Sequence, residues 1–247
     1  MDELIRHCEA VGRHQAEDFR WSNLRRLVLS YVKDGSVLDM GCGTGHLALA
    51  CLERGNPVLA VDISPEMTGL ARKLASGHGL TLETLEMDVE KGVAPIAARS
   101  FDTIVCLDIL EHLDDDKAAL KNLVSLLRPQ GVLIVVVPAV PWLYGVRDRR
   151  IGHRRRYGKR DLVEKLTEAG LRTTVTRYWG LLGFLAFVFF EKVLGKSVPE
   201  DFRYSDKARW RNELLSLWYR VVENPLPMPV GLSLLCVAVK EQPQNKI

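Results

Sequence analysis

Short apolar runs alternate with amphipathic stretches along most of this chain. VLDM at 37–40, VLAVD at 58–62, FDTIVCL at 101–107 and VLIVVV at 132–137 are the clearest runs. Runs of this length, rich in branched residues, suit buried strands. Five strands are expected near 36–40, 57–61, 81–87, 101–107 and 131–137, with helices between them at about 45–54, 65–78 and 115–127. Ser64-Pro65-Glu66 reads as a helix start, with Ser at the N-cap, Pro first inside and an acid in the first turn. KRDLVEKLTEAG at 159–170 predicts a helix closed by Gly170, and LRTTVTRYW at 171–179 a sixth strand. SLLCVAVKE at 233–241 predicts the last strand, and residues 2–18 and 22–33 have helical patterns. Such alternation implies an α/β, Rossmann-like parallel sheet with right-handed crossovers and helices on both faces.

The 247 residues suit a single domain, 1–247, with an N-terminal helical cap at 1–33 and a helical insertion or lid at 180–231. GLLGFLAFVFFEKVLG at 180–195 is apolar nearly all round. Its apolar core of about 11 residues is too short to span a bilayer. It is a buried helix, a substrate lid or an interfacial helix that touches a membrane surface. A second helix at 207–223 lines up Trp210, Leu214, Leu217, Trp218 and Val221, and the simplest expectation is that the two helices pack on each other. The five cysteines are scattered with no C-x-x-C pair, which argues against a disulfide framework or structural zinc and for a cytoplasmic setting. The first residues lack the continuous apolar core of a signal peptide.

The most specific segment is VLDMGCGTG at 37–45, an apolar strand that breaks at Asp39 into Gly41, Gly43 and Gly45. A dinucleotide loop would read G-x-G-x-x-G. Here the spacing is G-x-G-x-G, with His46 where the last glycine would fall. A carboxylate just before the loop would repel a pyrophosphate but attract a cation. D-x-G-x-G-x-G therefore resembles motif I of the class I S-adenosylmethionine (SAM)-dependent methyltransferases, whose ligand carries an ammonium and a sulfonium and no phosphate. Asp62 ends the next strand and suits the ribose hydroxyls, with Ile63 and Met67 against the adenine. Asp88 and Val89 are placed to meet the adenine amino group and ring, and Leu107-Asp108 end strand four. Gly41, Cys42 and Gly43 supply the loop itself. The resemblance implies the strand order 3-2-1-4-5-7-6, with strand seven antiparallel. FRWSNLRR at 19–26 resembles an F-W-F-x-x-R-R stretch of related enzymes, in which Phe19 or Trp21 would close over SAM.

Chemistry beyond the cofactor rests on two segments. In D-I-L-E-H, Asp108, Glu111 and His112 would share one face if the segment is helical, and could then hold a divalent ion. The segment resembles E-x-x-E-H of ubiquinone-biosynthesis O-methyltransferases and small-RNA terminal 2′-O-methyltransferases, which hold magnesium there; this chain has Asp at the first position. The second segment, 141–160, carries eight Lys/Arg and one Asp between 147 and 160. That +7, set against +3 for the chain, leaves about −4 elsewhere, so positive charge is concentrated here and an anionic partner is expected. GHRRRY followed by KRDLVEKLTEAGL resembles the H-x-R-R-Y stretch of bacterial and archaeal small-molecule methyltransferases. The resemblance turns His153 toward the acceptor as a base, alongside His112, or as a further metal ligand. Trp142, Tyr144, Arg156 and Tyr157 would then bind the acceptor, Arg155 and Arg156 clamping an anionic group. The leading expectation is O-methylation of a small-molecule or lipid-linked anionic acceptor, with peripheral membrane contact through 180–195. The alternatives are an RNA methyltransferase using 147–160, less favoured because no RNA-binding module is appended, and a non-catalytic SAM- or membrane-binding partner protein.

Overall fold

The computed structural model describes residues 18–195 and 209–242; the expected helix at 2–18 and the end of the chain lie outside those residues, except Asp18. Helix α1, Phe19–Leu29, is capped by Asp18, whose carboxylate accepts the Arg20 amide at 2.8 Å. Then follow β1 (Val37–Met40), α2 (His46–Glu53), β2 (Val58–Asp62), α3 (Pro65–Gly77) and β3 (Glu83–Glu86). The chain continues through β4 (Phe101–Leu107), α4 (Asp116–Ser125), β5 (Leu127–Pro138), a short α5 (Val146–Arg150), α6 (Lys159–Glu168) and β6 (Leu171–Trp179). The insertion holds α7 (Leu181–Phe187) and α8 (Arg209–Trp218), each extended by a π-helical turn, at Val188–Val193 and Tyr219–Glu223; β7 (Ser233–Lys240) ends the sheet.

The strand order is β3-β2-β1-β4-β5-β7-β6, with β7 antiparallel to both neighbours, as expected. Strand β5 starts earlier than its apolar run, because Leu127 pairs with Phe101 before the register shifts and the ladder resumes at Thr103 opposite Val132. Alternate strand residues feed two buried layers. Leu38, Ile104, Leu133 and Leu234 pack with Leu120, Leu123 and Leu166 of α4 and α6. Val37, Val105, Ile134 and Leu235 pack with Leu24, Ala48 and Ala71 of α1, α2 and α3. Two-sided burial explains why the central strands read as nearly continuous apolar runs.

The insertion departs from expectation. The inner face of α8 is Ser216 and Tyr219. Asn23 of α1 donates to Ser216 Oγ at 2.9 Å, and the Tyr219 ring lies 4.6 Å from that of Trp179. Trp210, Leu214, Leu217 and Val221 face outward instead of packing on α7. Buried Glu223 fixes the start of α7: its carboxylate accepts the Gly180 amide at 2.7 Å, the Leu181 amide at 3.1 Å and the Trp218 indole at 2.9 Å. A carboxylate at a helix N-terminus satisfies otherwise orphaned amides. Among the described residues no helix is long and apolar enough to cross a membrane.

Candidate active site at the carboxyl ends of the strands

The loop after β1 is shaped by its glycines. Gly41, Gly43 and Gly45 all have positive φ, of 74°, 51° and 82°. A Cβ on Gly41 would sit 2.0 Å from Ile109 Cδ1, so only glycine lets this loop pass the segment after β4. Around Gly43 there is open space, and its amide donates to Asp62 Oδ2 at 2.9 Å while Ser64 donates to Oδ1 at 3.0 Å. Asp39 lies beneath, buried, with Oδ2 lacking a hydrogen-bond partner. Burial, helped by the nearby Asp62 charge, pushes its pKa up to about 7. Burial also raises Asp62, though the amides of Ser64 and Gly43 oppose this.

These residues open onto a cavity of about 560 Å³. All the residues expected to hold the cofactor line it: Asp39, Gly41, Cys42 and Gly43 from the loop; Asp62, Ile63 and Met67 from β2 and α3; Asp88, Val89, Leu107 and Asp108 from beyond β3 and β4. Asp88 also caps the turn at Val89–Lys91 by accepting the Glu90 amide at 3.0 Å. Trp21 lines the same cavity, whereas Phe19 lies against Tyr219 with ring centroids 6.0 Å apart. A buried carboxyl with one oxygen unpaired, under a loop with free space, suits a ligand that brings a positive charge, and the donor-poor, apolar wall at Ile63, Met67 and Leu107 suits an adenine ring.

The same cavity is also lined by His112, His153 and Arg156, together with Arg147, Asp148, Ile151, Phe187 and Ser233. His153 Nδ1 is 3.1 Å from Asp148 Oδ1, and Arg156 Nε donates to the same oxygen at 2.9 Å. Burial pushes Asp148 upward, but the bonds from His153 and Arg156 outweigh it and hold the carboxyl below its usual range. A carboxylate only accepts, so Nδ1 carries the proton and Nε2 is left as the basic nitrogen. The His112 and His153 rings meet edge to face at 4.8 Å. Two residues at strand ends have positive φ: Asp108 after β4, which lines the cavity, at 51° and Val140 after β5 at 64°.

Several expected placements are corrected. Asp108, Glu111 and His112 do not share a helix face, because the chain turns at Asp108 into a single 3₁₀ turn, Leu110–His112. The group that comes together is Glu111, His112 and His153, with ligand atoms within 4.8 Å of one another. Glu111 is fully buried, and burial together with the Asp108 charge raises its pKa well above the ordinary value. Tyr157 does not line the cavity. It is buried, its hydroxyl donating to Asp116 Oδ2 at 2.7 Å and lying 3.1 Å from the Leu110 carbonyl. Tyr144 is also off the wall, donating to the His153 carbonyl at 2.9 Å, and Trp142 stands 60% exposed against Phe184. Four of the eight cations of the basic segment are paired within the fold: Arg154 with Asp114, Arg155 with Asp116, Arg156 with Asp148 and Arg160 with Glu164. Asp148 and Phe187 were not foreseen as site residues; the one signal for Asp148 is that it is the sole acid among eight bases.

Strand order and cavity position define a class I methyltransferase fold. Residues 38–135 match a family model described as a methyltransferase domain. A ubiquinone biosynthesis O-methyltransferase of Actinobacillus pleuropneumoniae serotype 7 (strain AP76) is 37% identical over 100 residues, which are 39% of this chain and 43% of that protein. One from Xanthomonas euvesicatoria pv. vesicatoria (strain 85-10) is 36% identical over 99 residues, 40% of this chain and 41% of that protein. The chain thus spans less than half the length of these curated relatives. Among solved structures, a chain from the complex between the Haloferax volcanii Trm112 methyltransferase activator and a methyltransferase has a TM-score of 0.66 at 19% identity, covering 97% of this chain and 98% of that one. N-methyltransferase NodS from Bradyrhizobium japonicum WM9, in complex with S-adenosyl-l-homocysteine, has a TM-score of 0.55 at 18% identity, covering 90% of this chain and 85% of that one. Likeness at such identity is one of fold.

Proposed function

We propose that this protein transfers the methyl group of SAM to a hydroxyl of a small or lipid-linked acceptor that carries negative charge. The observation that supports it most is the joining, in one cavity, of the Asp39–Asp62 cofactor end and the Asp148–His153–Arg156 end. When bound, SAM supplies an electrophilic methyl on a sulfonium. Asp39 and Asp62 hold the cationic end and the ribose, Ile63 and Met67 flank the adenine, and Asp88 with Val89 meet its edge. His153 Nε2 takes the hydroxyl proton as the nucleophile attacks, and Asp148 holds the ring and balances the resulting imidazolium. Arg156 and Arg147 favour an anionic acceptor on the same wall.

The residues do not fit magnesium. Two imidazoles and one buried carboxylate come together, and Asp108 is not among them; magnesium takes a shell of oxygens. No step of the proposed reaction is routed through magnesium. A lipid-linked acceptor is supported by α7, which sends Phe187 to the cavity while Leu185 and Phe189 face out, with exposed Lys192 beside them. That face is the proposed peripheral membrane contact.

Calorimetry with SAM tests the cofactor end, where Asp62→Ala is expected to abolish binding. A methylation screen across phosphorylated and prenylated hydroxy compounds tests the acceptor. Turnover on uncharged acceptors alone would overturn the anionic class.

A further inference from the structure

The outward face of α8 and its π turn carries a pattern that the methyl-transfer site does not use. Trp210, Leu214, Leu217 and Val221 are 71%, 59%, 49% and 60% exposed. Their spacings of four, three and four residues are those of the d-a-d-a seam of a coiled coil. The seam is turned away from the molecule, because the opposite side of the helix is held by the Asn23–Ser216 bond and the Tyr219–Trp179 stack. Leu215 and Ser216 are half-buried and Tyr219 is buried on that inner side. A heptad seam normally buries against another helix. Here the helix is already formed and anchored, so association would not bear the cost of ordering it.

The charges beside the seam say which helix fits. Glu213 and Arg220, both exposed, occupy the two g positions, seven residues apart on one edge of the stripe. A second copy docked antiparallel about a two-fold axis near residues 215–216 sets Leu214 of each chain against Leu217 of the other. It also brings Glu213 of each copy to the edge occupied by Arg220 of the other, so two opposite-charge pairs close the seam. A parallel arrangement would put each g position beside an e position, where Trp218 and Pro225 offer no opposite charge. The pattern is self-complementary, as an isologous contact requires.

We infer that this face is an interface between two copies of the chain, an antiparallel α8–α8 pair sealed by Leu214, Leu217 and reciprocal Glu213–Arg220 contacts. The active-site cavity is lined by none of these four residues, so each protomer would keep its own site.

Sedimentation equilibrium of the full chain over a concentration series tests this. A reversible dimer is expected, and the double change Leu214→Glu/Leu217→Glu should weaken it at least about tenfold. Circular dichroism and SAM affinity of the variant should stay unchanged. Because that change is severe, the charges provide a milder test. Glu213→Arg alone and Arg220→Glu alone should each weaken the dimer, and the two combined should restore it. A protein that stays monomeric at every concentration would overturn the inference, as would a dimer indifferent to the leucine changes or a double charge swap no better than the single ones. So would vesicles of phosphatidylglycerol and phosphatidylcholine that bind the wild type and not the leucine variant, since the face would then belong to a lipid surface.

Discussion

The Nδ1 atom of His153 lies 3.1 Å from Oδ1 of Asp148, and the two side chains are nearly closed off from solvent. Neither residue belongs to the region that matches the methyltransferase domain, 38–135. Both line the cavity from a segment beyond that region. If His153 is the base, His153→Ala should lower turnover by about 10² to 10⁴-fold, the usual range for a positioned acid–base group. SAM affinity should not change, because the side-chain contacts of His153 are with Asp148, Glu111 and His112 and not with Asp39 or Asp62. Initial rates with labelled SAM, paired with calorimetry, separate the two effects. Unchanged turnover would remove His153 from the proton transfer.

Asp39 makes cofactor binding depend on pH, with a definite sign. In the free protein burial and Asp62 hold its pKa near 7, up from 3.8. The folded state therefore keeps a proton that the unfolded chain gives up, and this group's contribution to stability is lost as pH rises from about 4 to about 7. A cation beside Asp39 favours the ionised form, so SAM binding releases a proton below pH ~7. SAM affinity should rise between about pH 5.5 and about pH 7.5 and then level off. Titrations in buffers of different ionisation enthalpy would reveal the released proton. A flat profile, or one unaltered in Asp39→Asn, would show that Asp39 does not sense the cofactor.

Much of this site was legible because it is local. Gly41, Gly43 and Gly45 need positive φ within a few residues of Asp39, and Asp62 follows a strand whose pattern is plain. What was hidden depends on residues far apart in sequence. Arg154 and Arg155 find acids about forty positions upstream, so a segment read as a site for an anionic partner is in part an internal brace. Helical spacing placed Trp210, Leu214, Leu217 and Val221 on one side of α8, but periodicity cannot tell which side meets the core. Tyr219 and Glu223, which do meet it, lie on the other side. The D-I-L-E-H segment failed for a backbone reason, since φ of 51° at Asp108 breaks the helix that would have aligned it with Glu111 and His112.

Tyr157 gives a test that separates brace from binding site. Its hydroxyl, Lys165 and Arg155 all converge on Asp116, where their bonds outweigh burial and hold the carboxyl below its ordinary pKa. Tyr157→Phe removes the hydroxyl's bond to Asp116 but leaves Asp116 with its cations. Stability should fall by about 1–2 kcal/mol. The Michaelis constant for the acceptor should stay as it was. Thermal unfolding and steady-state kinetics check both halves, and a raised Michaelis constant with unchanged melting would return Tyr157 to the acceptor site.

The misfit of Glu111, His112 and His153 to magnesium has a direct consequence. Added magnesium should not raise turnover, either of the protein as purified or after extensive dialysis against EDTA. Loss of activity that magnesium restores would put the ion back into the reaction.

If the acceptor is lipid-linked, as proposed, the outer face of α7 is where it would approach the cavity. Leu185 and Phe189 are half-exposed or more, Trp142 stands against Phe184 of the same helix, and Phe187 lines the cavity from that helix's other side. Arg149, Arg150 and Lys192 are exposed nearby in sequence to Trp142 and Phe189. Apolar side chains interspersed with cations suit an anionic bilayer surface, where each contributes a modest attraction that adds up. Vesicles containing phosphatidylglycerol should co-sediment the protein more strongly than pure phosphatidylcholine vesicles, and high salt should weaken the difference. Leu185→Ser/Phe189→Ser should abolish binding while leaving methyl transfer to a water-soluble acceptor intact. If the variant binds as well as the wild type, α7 is not the contact and the acceptor reaches the cavity from water.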